Sequence, residues 1–293
     1  NLRETLMAAH KHINLASREL QLSTPGMPAS DGDGVKMTRI IGTQQLNMLD
    51  PFLLLDAFGS DKPLDYIGGF PNHPHRGFET VTYMLAGRMR HKDSIGNEGV
   101  IEAHGVQWMT AGKGIVHSEM PEQDSGLLAG FQLWVNLPSK DKMCEPKYQE
   151  FIAQDVTVEK REDGNQVRVV AGITDLGSIG PVQRHDINPT FMDITLAAGS
   201  EFNQQIKSGD TAFIYVIEGH VLVGGKASLL PTKQLGILED GDHVSMVAAP
   251  QGARVLLVAA TPINESVARG GPFVMNTKAE VMQAYDDFRN NRF

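Results

Sequence analysis

The sequence predicts an all-β protein built of two tandem barrels and closed by a short C-terminal helix. Short runs of β-forming residues bounded by Gly, Pro, Asn or Asp recur along the chain. One strand–turn–strand unit occurs twice, and helical periodicity is confined to the C-terminus. Thirty glycines and fifteen prolines in 293 residues supply the chain reversals that many short strands require.

The elements follow in order. Residues 1–22 lack strand alternation and read as a short helix or a leader partly foreign to the fold, since the chain does not begin with Met. From Gly34 onward, Val35–Ile41, Gln107–Met109, Gly130–Leu137, Val167–Ala171, Phe191–Leu196, Thr211–Ile217 and Arg254–Ala259 read as strands. Lys278–Asn290 is helical, with Val281, Met282, Tyr285 and Phe288 at helical spacing. The repeat pairs Glu79–Gly87, Ile101–Met109 and Ala129–Pro138 with Thr211–Gly219, Leu238–Val247 and Ala253–Pro262. Two-fold self-similarity of this kind implies one barrel in residues 1–140 and a second in 141–293. The link falls in the charged, Pro-containing stretch Pro138–Glu150.

Composition narrows the function classes. Hydrophobic residues at 41% and charged residues at 21% describe a globular chain rather than a disordered one. The net charge of −9 repels phosphate backbones and no Lys/Arg cluster offsets it, so direct nucleic-acid binding is not expected. No apolar run approaches the roughly 20 residues that span a bilayer, and no signal-peptide pattern opens the chain. The single cysteine, Cys144, cannot form an internal disulfide and reads as an inert thiol, which suits a reducing cytoplasm.

Most of the ten histidines need no special role. His10, His12, His91, His104, His185, His220 and His243 read as surface or hydrogen-bonded side chains. His73-Pro74-His75 is different, because residues two apart in an extended segment share one face. His117-Ser118-Glu119 repeats that spacing. Two such pairs on neighbouring strands place three imidazoles and a carboxylate around one point, which is an open non-haem metal centre with positions left for substrate or dioxygen. Glu79 competes with Glu119 for the carboxylate position if the strand runs unbroken from His75. A bulge at Arg76-Gly77 would turn it away. Thr110-Ala111-Gly112-Lys113-Gly114 lacks the Gly-Lys-Ser/Thr step of a phosphate loop and reads as a tight turn delivering His117.

Asp50–Phe58 (DPFLLLDAF), His73–Thr80 (HPHRGFET), Gln107–Glu119 (QWMTAGKGIVHSE), Gln132–Pro138 (QLWVNLP) and Gly271–Thr277 (GPFVMNT) together resemble the pirin family of the cupin superfamily. The resemblance runs from about residue 34 to the end of the chain. It implies two cupin barrels, a bicupin, with a mononuclear metal in the first only. That metal is usually iron as Fe(II), with other transition metals possible, and its ligands would be His73, His75, His117 and Glu119. It thereby favours Glu119 over Glu79, although the general cupin pattern puts its glutamate nearer Glu79. In the second half Ser208-Gly209-Asp210 stands where the first has His-X-His, and His243 has no companion two residues on.

Pirins resemble quercetin 2,3-dioxygenases, so the resemblance implies cleavage of flavonols with dioxygen and release of carbon monoxide. Glu119 would then act as both ligand and base, and Phe78, Trp108 and Met109 could wall a flat substrate or simply pack the core. A second reading is a metal- or redox-responsive regulator that acts on a protein partner, such as a transcription cofactor or metabolic enzyme, without turnover. A third, another cupin enzyme on a sugar-like substrate, ranks last. The space over the metal separates the first two: a sealed site favours the regulator and an open one admits a flavonol.

Overall fold

The computed structural model describes residues 16–184 and 186–293. His10, His12, His185 and most of the 1–22 segment lie outside the described residues. The regular structure of the described residues is antiparallel sheet with one helix of more than a single turn, Lys278–Arg289, here α1. No helix among the described residues is long and apolar enough to cross a membrane.

The first half forms two sheets. A seven-stranded sheet runs in the order Lys147–Phe151, Val106–Thr110, Phe78–Ala86, Leu128–Asn136, Phe52–Ser60, Val35–Ile41, Met27–Asp31. A four-stranded sheet runs Phe70–His75, Ile115–Pro121, Met89–Asp93, Glu98–Ile101. The second half is a nine-stranded sheet dominated by two long strands, Thr211–Val223 and His243–Ala260.

Period-two alternation explains why several strands read as continuous apolar runs: both of their faces are buried. In the second half Phe191, Phe213, Tyr215, Leu256 and Val258 face a core shared with the first half. The intervening Met192, Ile194, Ile214, Val216 and Leu257 fill the interior of their own barrel. The shared core is built by aromatic pairs across the halves: Phe52 meets Phe213 edge-on at 5.3 Å, and Phe131 meets Tyr215 at 5.4 Å.

The chain does not divide cleanly at residue 140. Lys147–Phe151 completes the first half's sheet by pairing with Val106–Thr110. Leu20–Thr24 pairs with Leu235–Leu238 in the second half's sheet. The segment after residue 267 returns to the first half, where Arg76 bridges Phe273 and Val274 N donates to Arg76 O. Gly77 lies at φ +90°, and a side chain there would meet Val274 O at 2.0 Å, so only glycine admits this close return. Helix α1 follows, opened by a capping box between Thr277 and Glu280. It buries Val281 and Ala284 and lays Tyr285 against Phe273, whereas Met282 points to solvent.

Candidate metal centre

Two strands build the site. The Phe70–His75 and Ile115–Pro121 strands are antiparallel neighbours in a register that sets His117 opposite His73. The turn at residues 110–114 passes through Gly112 at φ +52° before the second of these strands begins. The imidazoles of His73, His75 and His117 offer ligand atoms that all lie within 4.8 Å of one another, and theirs is the group of this kind found among the described residues.

The electrostatics suit a metal rather than protons. Burial, and then the neighbouring His73, hold the His75 imidazole down to about 3. Burial, then His75, His73 and His91, hold His117 well below the ordinary histidine value. Both rings are therefore neutral at physiological pH, the form that coordinates. His117 is buried with neither ring nitrogen hydrogen-bonded, an arrangement that costs free energy unless a ligand answers it. His73 Nδ1 lies 2.7 Å from Pro71 O and His75 Nδ1 lies 3.4 Å from Pro272 O, which leaves each Nε2 as the nitrogen available to a metal. The donor set thus fits a divalent transition metal.

Glu119 is buried on the same strand face as His117 and lines a cavity with His73 and His75, but does not join the three-imidazole group. Its Oε1 accepts from Thr82 Oγ1 at 2.5 Å, and Thr82 also lies 2.7 Å from the Gln132 amide. Glu79 faces the opposite way. The strand from Phe70 ends at His75, the chain breaks at Arg76-Gly77, and Phe78–Ala86 starts afresh in the other sheet. There Glu79 shares a face with Val81 and Tyr83, accepts from Trp108 Nε1, and pairs with Arg184 at 2.5 Å. Its burial pushes the carboxyl up to about 7 against the pull of Arg184.

His91, read from sequence as an unremarkable histidine, is buried beside His117 with ring centroids 5.4 Å apart. Its Nε2 is bonded to Asp93 at 2.7 Å and its ring stacks on Tyr148, so it supports the site rather than joining it. The His91-Lys92-Asp93 spacing was the available signal.

A cavity of about 590 Å³ opens onto His73, His75 and Glu119. Its apolar walls are Met37, Leu54, Phe58, Phe70 and Trp134. Phe78, Trp108 and Met109 are not among its lining residues and pack in the core, the second of the two roles open to them in the sequence. Phe78 is fully buried behind the site, edge-on to His75 at 5.1 Å and tilted against Trp134 at 4.4 Å. Trp108 sits in the core between the halves and Met109 packs with Ala111 and Ile115. For Trp108 and Met109 the physical reason is sheet order: the Phe78–Ala86 and Leu128–Asn136 strands separate Val106–Thr110 from the Phe52–Ser60 and Val35–Ile41 strands that flank the opening.

The first half of the chain, residues 34–135, matches the pirin family, and residues 191–293 match the pirin C-terminal cupin domain. A pirin-like protein of Caulobacter vibrioides is 52% identical over 269 residues, covering 92% of this chain and 96% of that one. This chain belongs to the pirin family. Human pirin is 41% identical over 280 residues, covering 94% and 93% of the two chains. A crystal structure of quercetin 2,3-dioxygenase from Acinetobacter baumannii superposes with a TM-score of 0.86 at 35% identity, covering 95% of this chain and 99% of that one. The protein is thus a bicupin. In this pirin the second barrel carries His243 bonded to Asp242 at 2.7 Å, and Ser208–Asp210 form a loop anchored on Asp240 and on the buried Arg18.

Proposed function

We propose that this pirin is a metal-dependent oxidoreductase of the quercetin 2,3-dioxygenase type, cleaving a flavonol with dioxygen and releasing carbon monoxide. The observation that carries the reading is the open, aromatic-walled cavity that ends on His73, His75 and Glu119, where three imidazoles converge. A sealed site would have favoured a regulator. The structural likeness to the Acinetobacter enzyme supports the same reading.

His73, His75 and His117 would hold the metal, with Glu119 as the fourth protein ligand, and Fe(II) is the metal we favour among those this donor set accepts. When bound, the metal supplies Lewis acidity for a substrate hydroxyl and a redox centre for dioxygen. The remaining work belongs to side chains. Glu119 is within reach of a hydroxyl presented at the imidazoles and takes its proton, while Thr82 orients the carboxylate. Trp134 and Phe70 flank the flat rings, and Phe58 and Leu54 displace water from them.

The test is flavonol absorbance loss and carbon monoxide release in air, using protein of measured iron content and a His75→Ala control. Iron-dependent turnover that the control loses supports the reading. No turnover by a fully iron-loaded chain would refute it and favour a regulator that acts through a protein partner.

A further inference from the structure

Two arginines line the cavity, and only one is answered. Arg39 donates through Nε and Nη2 to both oxygens of Asp56, at 2.8 and 2.7 Å, and through Nη2 to Asp31 at 2.9 Å. Arg269 donates through Nη1 alone, to Leu53 O at 2.8 Å and Asn47 O at 3.2 Å. Among the described residues no carboxylate pairs with it, and its Nε and Nη2 have no protein partner. Burial, and then the like charge of Arg39, pull its pKa below the ordinary arginine value. A partly desolvated cation without a counter-charge is costly to maintain in a cavity wall.

The placement of Arg269 gives that cost a purpose. Its guanidinium carbon lies 5.9 Å from the centroid of the Trp134 ring, and that ring lies 5.3 Å from the His75 imidazole. The indole therefore neighbours both the His75 imidazole and the arginine, in the wall of the one cavity that all three line. The two carbonyl bonds fix the guanidinium and leave two donors pre-oriented. We propose that Arg269 is the specificity-determining cation of the cavity, receiving an anionic oxygen, phenolate or carboxylate, at the end of an aromatic substrate remote from the three imidazoles. The proposal rests on the substrate class argued above and narrows it to aromatic compounds acidic at both ends. Arg269 arrives from the C-terminal segment, so the second half of the chain sets the selectivity of a site built by the first.

The test is equilibrium binding to the iron-loaded protein under argon, which separates recognition from turnover. Quercetin carries phenols on both outer rings, whereas 3-hydroxyflavone has the same ring frame and metal-binding edge without them. Wild type prefers quercetin. Arg269→Gln weakens quercetin binding on the order of tenfold and leaves 3-hydroxyflavone within about twofold. Arg269→Lys, which keeps the charge and loses the fork, falls between. Equal losses for both flavonols would make Arg269 a mere tether of Leu53 and Asn47 and overturn the proposal. So would no loss, or a wild type without the preference. Should Arg269→Gln fail to fold, Arg269→Lys decides by the same comparison: a loss selective for quercetin supports the proposal, and an unselective loss or none overturns it. Selective binding without oxygen-dependent turnover would sink the dioxygenase reading and leave this one standing.

Discussion

Thr82 holds the Glu119 carboxylate through one hydroxyl hydrogen bond in a site otherwise made of imidazoles. Thr82→Val keeps the shape and removes the donor. It should leave the three imidazoles able to retain metal while lowering turnover roughly tenfold, because the base is no longer aimed. Metal analysis beside steady-state kinetics separates the two effects, and loss of metal with activity would make Thr82 a support of the metal instead. Glu79 makes a different prediction. Its carboxyl is raised from 4.5 in the unfolded chain to about 7 in the folded one, chiefly by burial. The folded state therefore keeps a proton that the unfolded state releases, and stability falls as pH rises from about 4.5 to about 7. Melting temperatures of wild type and Glu79→Gln should diverge in the variant's favour across that window and run parallel above it. A gap that is flat with pH would contradict the burial argument. The three clustered histidines could be singled out in sequence because strand parity alone puts His73 with His75 and His117 with Glu119 on common faces. The side from which Glu79 points depended on the break at Arg76-Gly77, which sequence offered only as an option.

Among the elements, the C-terminal segment has the greatest influence on the site relative to its length. Pro272 O meets His75 Nδ1, Lys142 Nζ donates to Gly77 O and Val274 O, and Arg76 Nη1 donates to Asp287 Oδ2 at 2.8 Å from helix α1. The Arg76 guanidinium also lies 4.5 Å over the ring of Phe293. These contacts brace the backbone that carries His75. Asp287→Asn, which removes the charge that holds Arg76, should weaken metal affinity on the order of tenfold with the fold retained. A competition titration against a chelator measures it, and unchanged affinity would show that the brace is redundant. The strands and α1 could be read locally, since β-formers, turn residues and helical spacing are local signals. The return of residues 268–275 to the metal strand could not, because no local pattern records a contact across almost two hundred residues. For the same reason the cavity walls could not be read: Trp108 and Met109 are near His117 in sequence, whereas Phe58 and Trp134 reach the cavity only through sheet order.

In the whole molecule, the two halves share strands and a core rather than touching as separate domains. Tyr83 of the first half donates to Asp193 of the second at 2.6 Å, and Arg254 grips both oxygens of that carboxylate. Tyr83→Phe should cost about 1–2 kcal/mol, since it strips one hydrogen bond from a buried carboxylate. Denaturant unfolding followed by two probes should still show one transition. Two separate transitions would mean that the halves fold independently despite the exchanged strands. The repeat in the sequence correctly suggested two barrels, because period-two patterning survives in each half. It could not show that Leu20–Thr24 and Lys147–Phe151 each complete the sheet on the other side of the expected boundary.

Quercetin consumption under air, followed while metal-free protein is titrated with Fe(II), bears most directly on the function proposed here. The rate should rise in proportion to bound iron and level at one iron per chain, and His117→Ala should stay at the baseline throughout. A chain that binds its full iron and leaves quercetin and dioxygen untouched would contradict the dioxygenase assignment.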